Sequence, residues 1–128
     1  MLHITSLYAS ILGLLIIYLA FRVASFRKSS QVGLGDGGDT KALKLIRTHA
    51  NAVEYIPTLL ILMGIYELNG GSSLVLNILG SLAVFARFFH AFGLSKSSGY
   101  SLGRFVGTIT TFVIIIVLSA LNIYKYFI

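Results

Sequence analysis

The sequence predicts an all-α integral membrane protein, an up-and-down four-helix bundle in which residues 1–128 form a single domain. Three observations predict it. Hydrophobic residues make up 56% of the 128 positions and charged residues 11%, where a soluble domain carries about 25% charged residues. The mean hydropathy is +0.89. The apolar residues gather into four runs, and each approaches the ~20 residues that a bilayer-crossing helix needs. The chain has no cysteine, which excludes a disulfide framework, a thiolate zinc site and a cysteine nucleophile.

The first span is expected over 2–23, closed by Arg22, Arg27 and Lys28. A secretory signal carries its positive charge before the apolar run; here the charge follows it, so the segment reads as a retained span with its N-terminus outside. The connector that follows contains Val32-Gly33-Leu34-Gly35-Asp36-Gly37-Gly38-Asp39. A phosphate-cradling loop would need Gly-Lys-Ser/Thr at the start of a helix, and a calcium loop would need more acids and a closing Glu. A turn-rich loop with no metal site is the expectation. The second span is expected over 41–67 with Pro57 inside it, and Asn69-Gly70-Gly71 marks a tight turn. The third is expected over 73–92, where Gly80, Ala83 and Arg87 share a stripe that permits close packing. The fourth is expected over 102–124.

The net charge of +6 has two readings, nucleic-acid binding or membrane topology. Arg22, Arg27, Lys28, Lys41, Lys44 and Arg47 lie at the first connector and Arg87, Lys96 and Arg104 around the third, leaving only Lys125 on the other side. That asymmetry follows the excess of basic residues in cytoplasmic loops. It places both termini on the non-cytoplasmic side and argues against nucleic acid, which needs a water-facing basic stripe with stacking aromatics.

Ionisable groups inside spans cost roughly 2.5–3.5 kcal/mol each on insertion scales and usually face a bundle interior or a cavity. Arg47, Asn51, Glu54 and Thr58 recur at helical spacing, so they share one face, with Glu54 about 10 Å deeper than Arg47. Arg87 and His90 lie one turn apart on the third span, and Arg104, Thr108 and Thr111 share a face of the fourth. Up-and-down threading brings Arg22, Arg47, Arg87 and Arg104 to similar depth on the cytoplasmic side. One acid, Glu54, cannot neutralise four guanidinium groups, and Arg forks suit carboxylates. The expected ligand is a small polyanion entering between helices. The plainer alternatives are that Arg22, Arg47 and Arg104 are interfacial anchors, that Asn51 and Glu54 join helices, and that His90 is a packing residue. Asn77 and Asn122 receive no role.

The run Arg47-Thr48-His49-Ala50-Asn51-Ala52-Val53-Glu54-Tyr55-Ile56-Pro57 resembles the second membrane helix of the MAPEG family, with its R-x-x-x-N-x-x-E-Y-x-P pattern. Members include microsomal glutathione transferases, leukotriene C synthase, membrane prostaglandin E synthase and the five-lipoxygenase-activating protein. The Gly-Asp-Gly-Gly connector is most similar to bacterial YecN-like members. The resemblance implies a homotrimer that binds glutathione as cofactor at subunit interfaces on the cytoplasmic side. It implies that Arg22, Arg47, Asn51, Glu54, Tyr55, Arg87 and His90 hold glutathione and that Arg104 is catalytic, stabilising the thiolate. The sequence departs from the pattern at Leu94, where a Tyr is usual, and at Phe105, where prostaglandin E synthase has Ser.

The expected function is therefore a membrane glutathione transferase or peroxidase acting on a lipophilic electrophile or hydroperoxide, in a bacterial inner membrane. Two alternatives belong to other classes. One is a non-enzymatic lipid-binding scaffold on the same fold. The other is a small multidrug-type transporter, although such exporters carry their essential Glu in the first span, which has no acid here.

Overall fold

The computed structural model describes the backbone of residues 1–96 and 102–128 and the side chains of 1–93 and 102–128. The expectations attached to Leu94 and Lys96 lie outside the described side chains. Four helices follow one another: α1 His3–Ser30, α2 Thr40–Leu68, α3 Ser73–Lys96 and α4 Leu102–Tyr126. α1 packs on α2 and α3, α2 also packs on α3 and α4, and α3 packs on α4.

α1 runs on to Ser30, beyond the apolar span expected to end near residue 23. Arg27 and Lys28 occupy its last turn, where positive charge complements the carbonyl end of the helix dipole. It stops at Gln31, whose φ of 56° is left-handed, and the amide of Val32 closes on the Arg27 carbonyl at 3.1 Å. The glycine-rich connector then turns as expected. Its acids are structural: Asp36 Oδ1 accepts from the Gly38 amide, and Asp39 caps α2 by accepting from the amides of Lys41 at 2.6 Å and Ala42 at 3.3 Å. Gly70, with φ of 70°, makes the expected turn after α2.

Among the described residues three helices, α1, α3 and α4, are long and apolar enough to cross a membrane. α2 has the length, 29 residues or about 43 Å. Its composition is more polar because Lys41, Lys44, Arg47, Asn51 and Glu54 crowd its first half. α2 continues through Pro57 as one helix.

Glycines set the spacing between helices. Gly80 lies under the Tyr8 ring, where an added Cβ would stand 2.4 Å from ring carbons, and Ala83 is fully buried beside it. α3 and α4 touch backbone to backbone. A Cβ on Gly103 would meet the Phe89 carbonyl oxygen at 2.8 Å, and one on Gly107 would meet that of Ala86 at 2.6 Å. This Gly-x-x-x-Gly spacing is a recurring device for close approach of membrane helices. It draws the start of α4, with Arg104, against His90.

Candidate ligand-binding site

α2, α3 and α4 enclose a cavity of about 170 Å³ at the end of the bundle that carries the basic residues. α2 contributes Thr40, Leu43, Lys44, Arg47 and Asn51, α3 contributes His90, and α4 contributes Arg104. The helical spacing explains the α2 set: Thr40, Leu43, Lys44, Arg47 and Asn51 recur at three- and four-residue steps, so they form one stripe. Three of these lining residues are cationic, and no acidic residue lines the cavity among the described residues.

Behind the wall lies Arg87, 1% exposed. Its Nη2 donates to Asn51 Oδ1 at 2.5 Å. Its Nε and Nη1 are buried without a hydrogen bond, as is His90 Nδ1. Unpartnered donors on a buried charge are expensive, because water has been removed and nothing has replaced it. Asn51 thus joins the cavity to Arg87: its side-chain oxygen takes the guanidinium while the residue also faces the open space. Thr111, fully buried on α4, is occupied locally, its hydroxyl donating to the Gly107 carbonyl.

Of the residues expected to hold a ligand, the structure brings Arg47, Asn51, His90 and Arg104 to one cavity, with Arg87 directly behind Asn51. Tyr55 lies one turn beyond Asn51, its ring 5.3 Å from that of Phe112 at the α2–α4 contact. Glu54 is on the outer surface of α2, exposed together with Val53, Pro57 and Thr58. Arg22 lines a different groove, between α1 and α2, with Lys41 and Ser25. A shared depth along the bundle does not fix the side of a helix on which a residue stands. α1 presents Arg22 away from the cavity of its own chain. Phe105, next to Arg104, is 51% exposed.

Sequence reasoning missed Lys44, Thr40 and Leu43 as lining residues. Lys44 stands one turn before Arg47, and the spacing that grouped Arg47 with Asn51 extends to it. The roles of Asn77 and Asn122 were also missed. Tyr8 Oη bonds to the Asn77 carbonyl and side-chain oxygens at 3.0 and 3.1 Å, and Asn122 Nδ2 donates to the Leu62 carbonyl at 3.0 Å.

The chain is 37% identical over 90 residues to inner membrane protein YecN of Escherichia coli strain K12, an alignment covering 70% of this chain and 69% of that protein. The same identity and coverage hold for inner membrane protein YecN of Escherichia coli O6:H1. The model of the MAPEG family matches residues 5–124. A four-helix chain matched over almost its whole length, with the Arg47–Pro57 motif running from its cationic cavity, belongs to the MAPEG family.

Proposed function

We propose that the protein binds glutathione in the cationic cavity and directs its thiolate to a lipophilic electrophile or a lipid hydroperoxide. The observation that carries this reading is a cavity lined by Lys44, Arg47 and Arg104, backed by Arg87, with no acid among its described lining residues. Glutathione has two carboxylates and one ammonium, so its net charge is −1, becoming −2 as thiolate. Arg forks bind carboxylates bidentately, and Asn51 and His90 add neutral hydrogen-bonding groups.

The chain has no cysteine, so a reactive sulfur comes from the ligand. Arg104 at the cavity favours the thiolate electrostatically, each unit of lowered thiol pKa corresponding to about 1.4 kcal/mol. In conjugation the sulfur forms a bond to carbon, the electrophile's leaving group departs and the thiol proton passes to water. In peroxide reduction two glutathione thiols become a disulfide while the O–O bond is reduced to an alcohol and water.

In this reading, Glu54 and its exposed neighbours on α2 pack against another copy. A carboxylate facing hydrocarbon would cost roughly 2.5–3.5 kcal/mol, and covering it removes that cost. We therefore place the site at an interface in a homotrimer, where Glu54 can meet the ligand's ammonium. The relatives' printed location and the distribution of basic residues support a bacterial inner membrane, with this cavity on the cytoplasmic side.

A second reading, a lipid-binding scaffold without chemistry, is favoured by one observation: the apolar Phe105 is exposed beside Arg104. Titration calorimetry on detergent-purified protein tests ligand binding. Wild type is expected to bind glutathione saturably, and both glutathione dimethyl ester with wild type and glutathione with an assembled Arg47→Ala, Asn51→Ala variant are expected to show no heat of binding. Absence of wild-type binding at millimolar glutathione would overturn the proposal. Given binding, conjugation no faster than the uncatalysed rate would select the scaffold.

A further inference from the structure

We infer that Lys44 selects the second substrate, an inference that rests on the glutathione reading above. The lipophilic electrophile carries a carboxylate, and the Lys44 ammonium holds it at the mouth of the cationic cavity. The positive charge there exceeds what glutathione uses. Lys44, Arg47 and Arg104 line the cavity and Arg87 stands behind Asn51. The glutathione thiolate brings a net charge of −2, and Glu54 of a neighbouring copy brings one more negative charge. At least one cation is left over.

Lys44 is the cation best suited to be that one. Arg47 and Arg104 carry guanidinium forks, which match the two carboxylates of glutathione, whereas Lys44 presents a compact point charge on a flexible stem. It lies one turn outward of Arg47, roughly 5 Å along α2 towards the connector. Lys44 is nevertheless half-buried where Arg47 is exposed, so the cavity wall shields part of it from water. Thr40, one turn further out, brings a hydroxyl to the same lining, and Leu43 brings an aliphatic group. Ammonium, hydroxyl and aliphatic side chain on adjoining turns match an anionic group attached to an apolar body.

The protein's own carboxylates do not reach Lys44. The chain has four acids. Asp36 accepts from the Gly38 amide and Asp39 from the amides of Lys41 and Ala42. Glu67 binds the start of α1 at the other end of the bundle. Glu54 lies about 15 Å along α2 from Lys44, and a copy that shares the membrane plane holds its own Glu54 at that same depth.

With an enone as electrophile, the thiolate sulfur bonds to the β-carbon and the C=C π pair moves onto the carbonyl oxygen as an enolate. The α-carbon then takes a proton from water, and no group leaves. The carboxylate takes no part in bond making, so Lys44 is a specificity-determining residue and acts through KM.

Ethacrynic acid, an enone with a carboxylate across its aromatic ring, and its neutral methyl ester test the inference. We compare kcat/KM for the two probes at saturating glutathione, on detergent-purified wild type, Lys44→Ala, Lys44→Glu and Lys44→Arg. The acid-to-ester ratio is expected to fall about tenfold in Lys44→Ala, the scale of a lost hydrogen bond to a charged group. It should fall further in Lys44→Glu and stay close to the wild-type ratio in Lys44→Arg. A ratio that Lys44→Ala leaves unchanged would overturn the inference, while wild-type turnover of the ester would leave the glutathione reading standing. Equal loss for both probes in Lys44→Ala would do the same, assigning Lys44 to glutathione. A wild type that turns over neither probe would overturn both readings of the chemistry.

Discussion

At the end of the bundle that holds Glu67, polar side chains are joined to one another; at the end that holds Arg87, buried nitrogens lack partners. Glu67 Oε1 and Oε2 accept from the amides of Ile4 and Thr5 at 2.9 and 2.7 Å. The carboxylate of α2 thereby caps α1, whose own Leu2 offers no side-chain cap. Tyr8 Oη meets Asn77 and Ser81, Tyr66 Oη accepts from the Ser72 amide, and Asn122 ties α4 to α2. The buried atoms without hydrogen bonds there are oxygens of neutral side chains, Thr5 and Asn122. At the opposite end the unbonded atoms include Arg87 Nε, Arg87 Nη1 and His90 Nδ1, beside a cavity lined by three more cations. One end holds the helices together. The other leaves a buried guanidinium incompletely bonded, at a cost in stability.

Substitutions can break this contrast from either side. The largest effect is expected for Gly107→Leu, because the new side chain must enter the space of the Ala86 carbonyl and the His90 Cβ. Overpacking against backbone should cost about 3 kcal/mol or more and part Arg104 from His90, so both the thermal midpoint and glutathione affinity fall. Unchanged melting would show that α3 and α4 do not depend on that contact. Glu67→Ala comes next. It leaves two amides at the start of α1 without their acceptor, at about 2 kcal/mol, and lowers the midpoint while glutathione affinity stays within about twofold. A parallel loss of affinity would mean that the two ends are coupled. Tyr8→Phe is the mildest, at about 1 kcal/mol, with ligand binding again unaffected, and it sharpens the contrast by removing one hydroxyl from the well-bonded end.

The physics of each end also explains what could be read from the chain. Helical spacing alone grouped Arg47 with Asn51 and placed Gly80, Ala83 and Arg87 on one packing stripe, because both are periodicities within single helices. The glycine-rich connector was legible as turns because its chemistry is local. What escaped needed partners distant in sequence. Glu67 caps a helix more than sixty residues earlier, and no local pattern signals that. Arg22 lines a different groove of its own chain, because the rotation of α1 against α2 is set by packing, which helical spacing does not reveal. Gly103 and Gly107 carried a readable Gly-x-x-x-Gly spacing, but their value appears only when the Phe89 and Ala86 carbonyls are seen against them. Lys44 was readable as well, one turn from Arg47. It was counted among the loop charges that set topology, whereas the structure turns it into the cavity.

Thermal melting of wild type and Arg87→Met, each with and without millimolar glutathione, tests most directly whether the cationic end is held for a ligand. Replacing an incompletely bonded buried charge with an apolar side chain of similar length should stabilise the ligand-free protein, by about 1–2 kcal/mol. Glutathione should raise the wild-type midpoint by binding the native state and leave that of Arg87→Met unmoved. A variant that melts lower than wild type yet is still stabilised by glutathione would contradict the account, showing that Arg87 holds the fold and not the ligand.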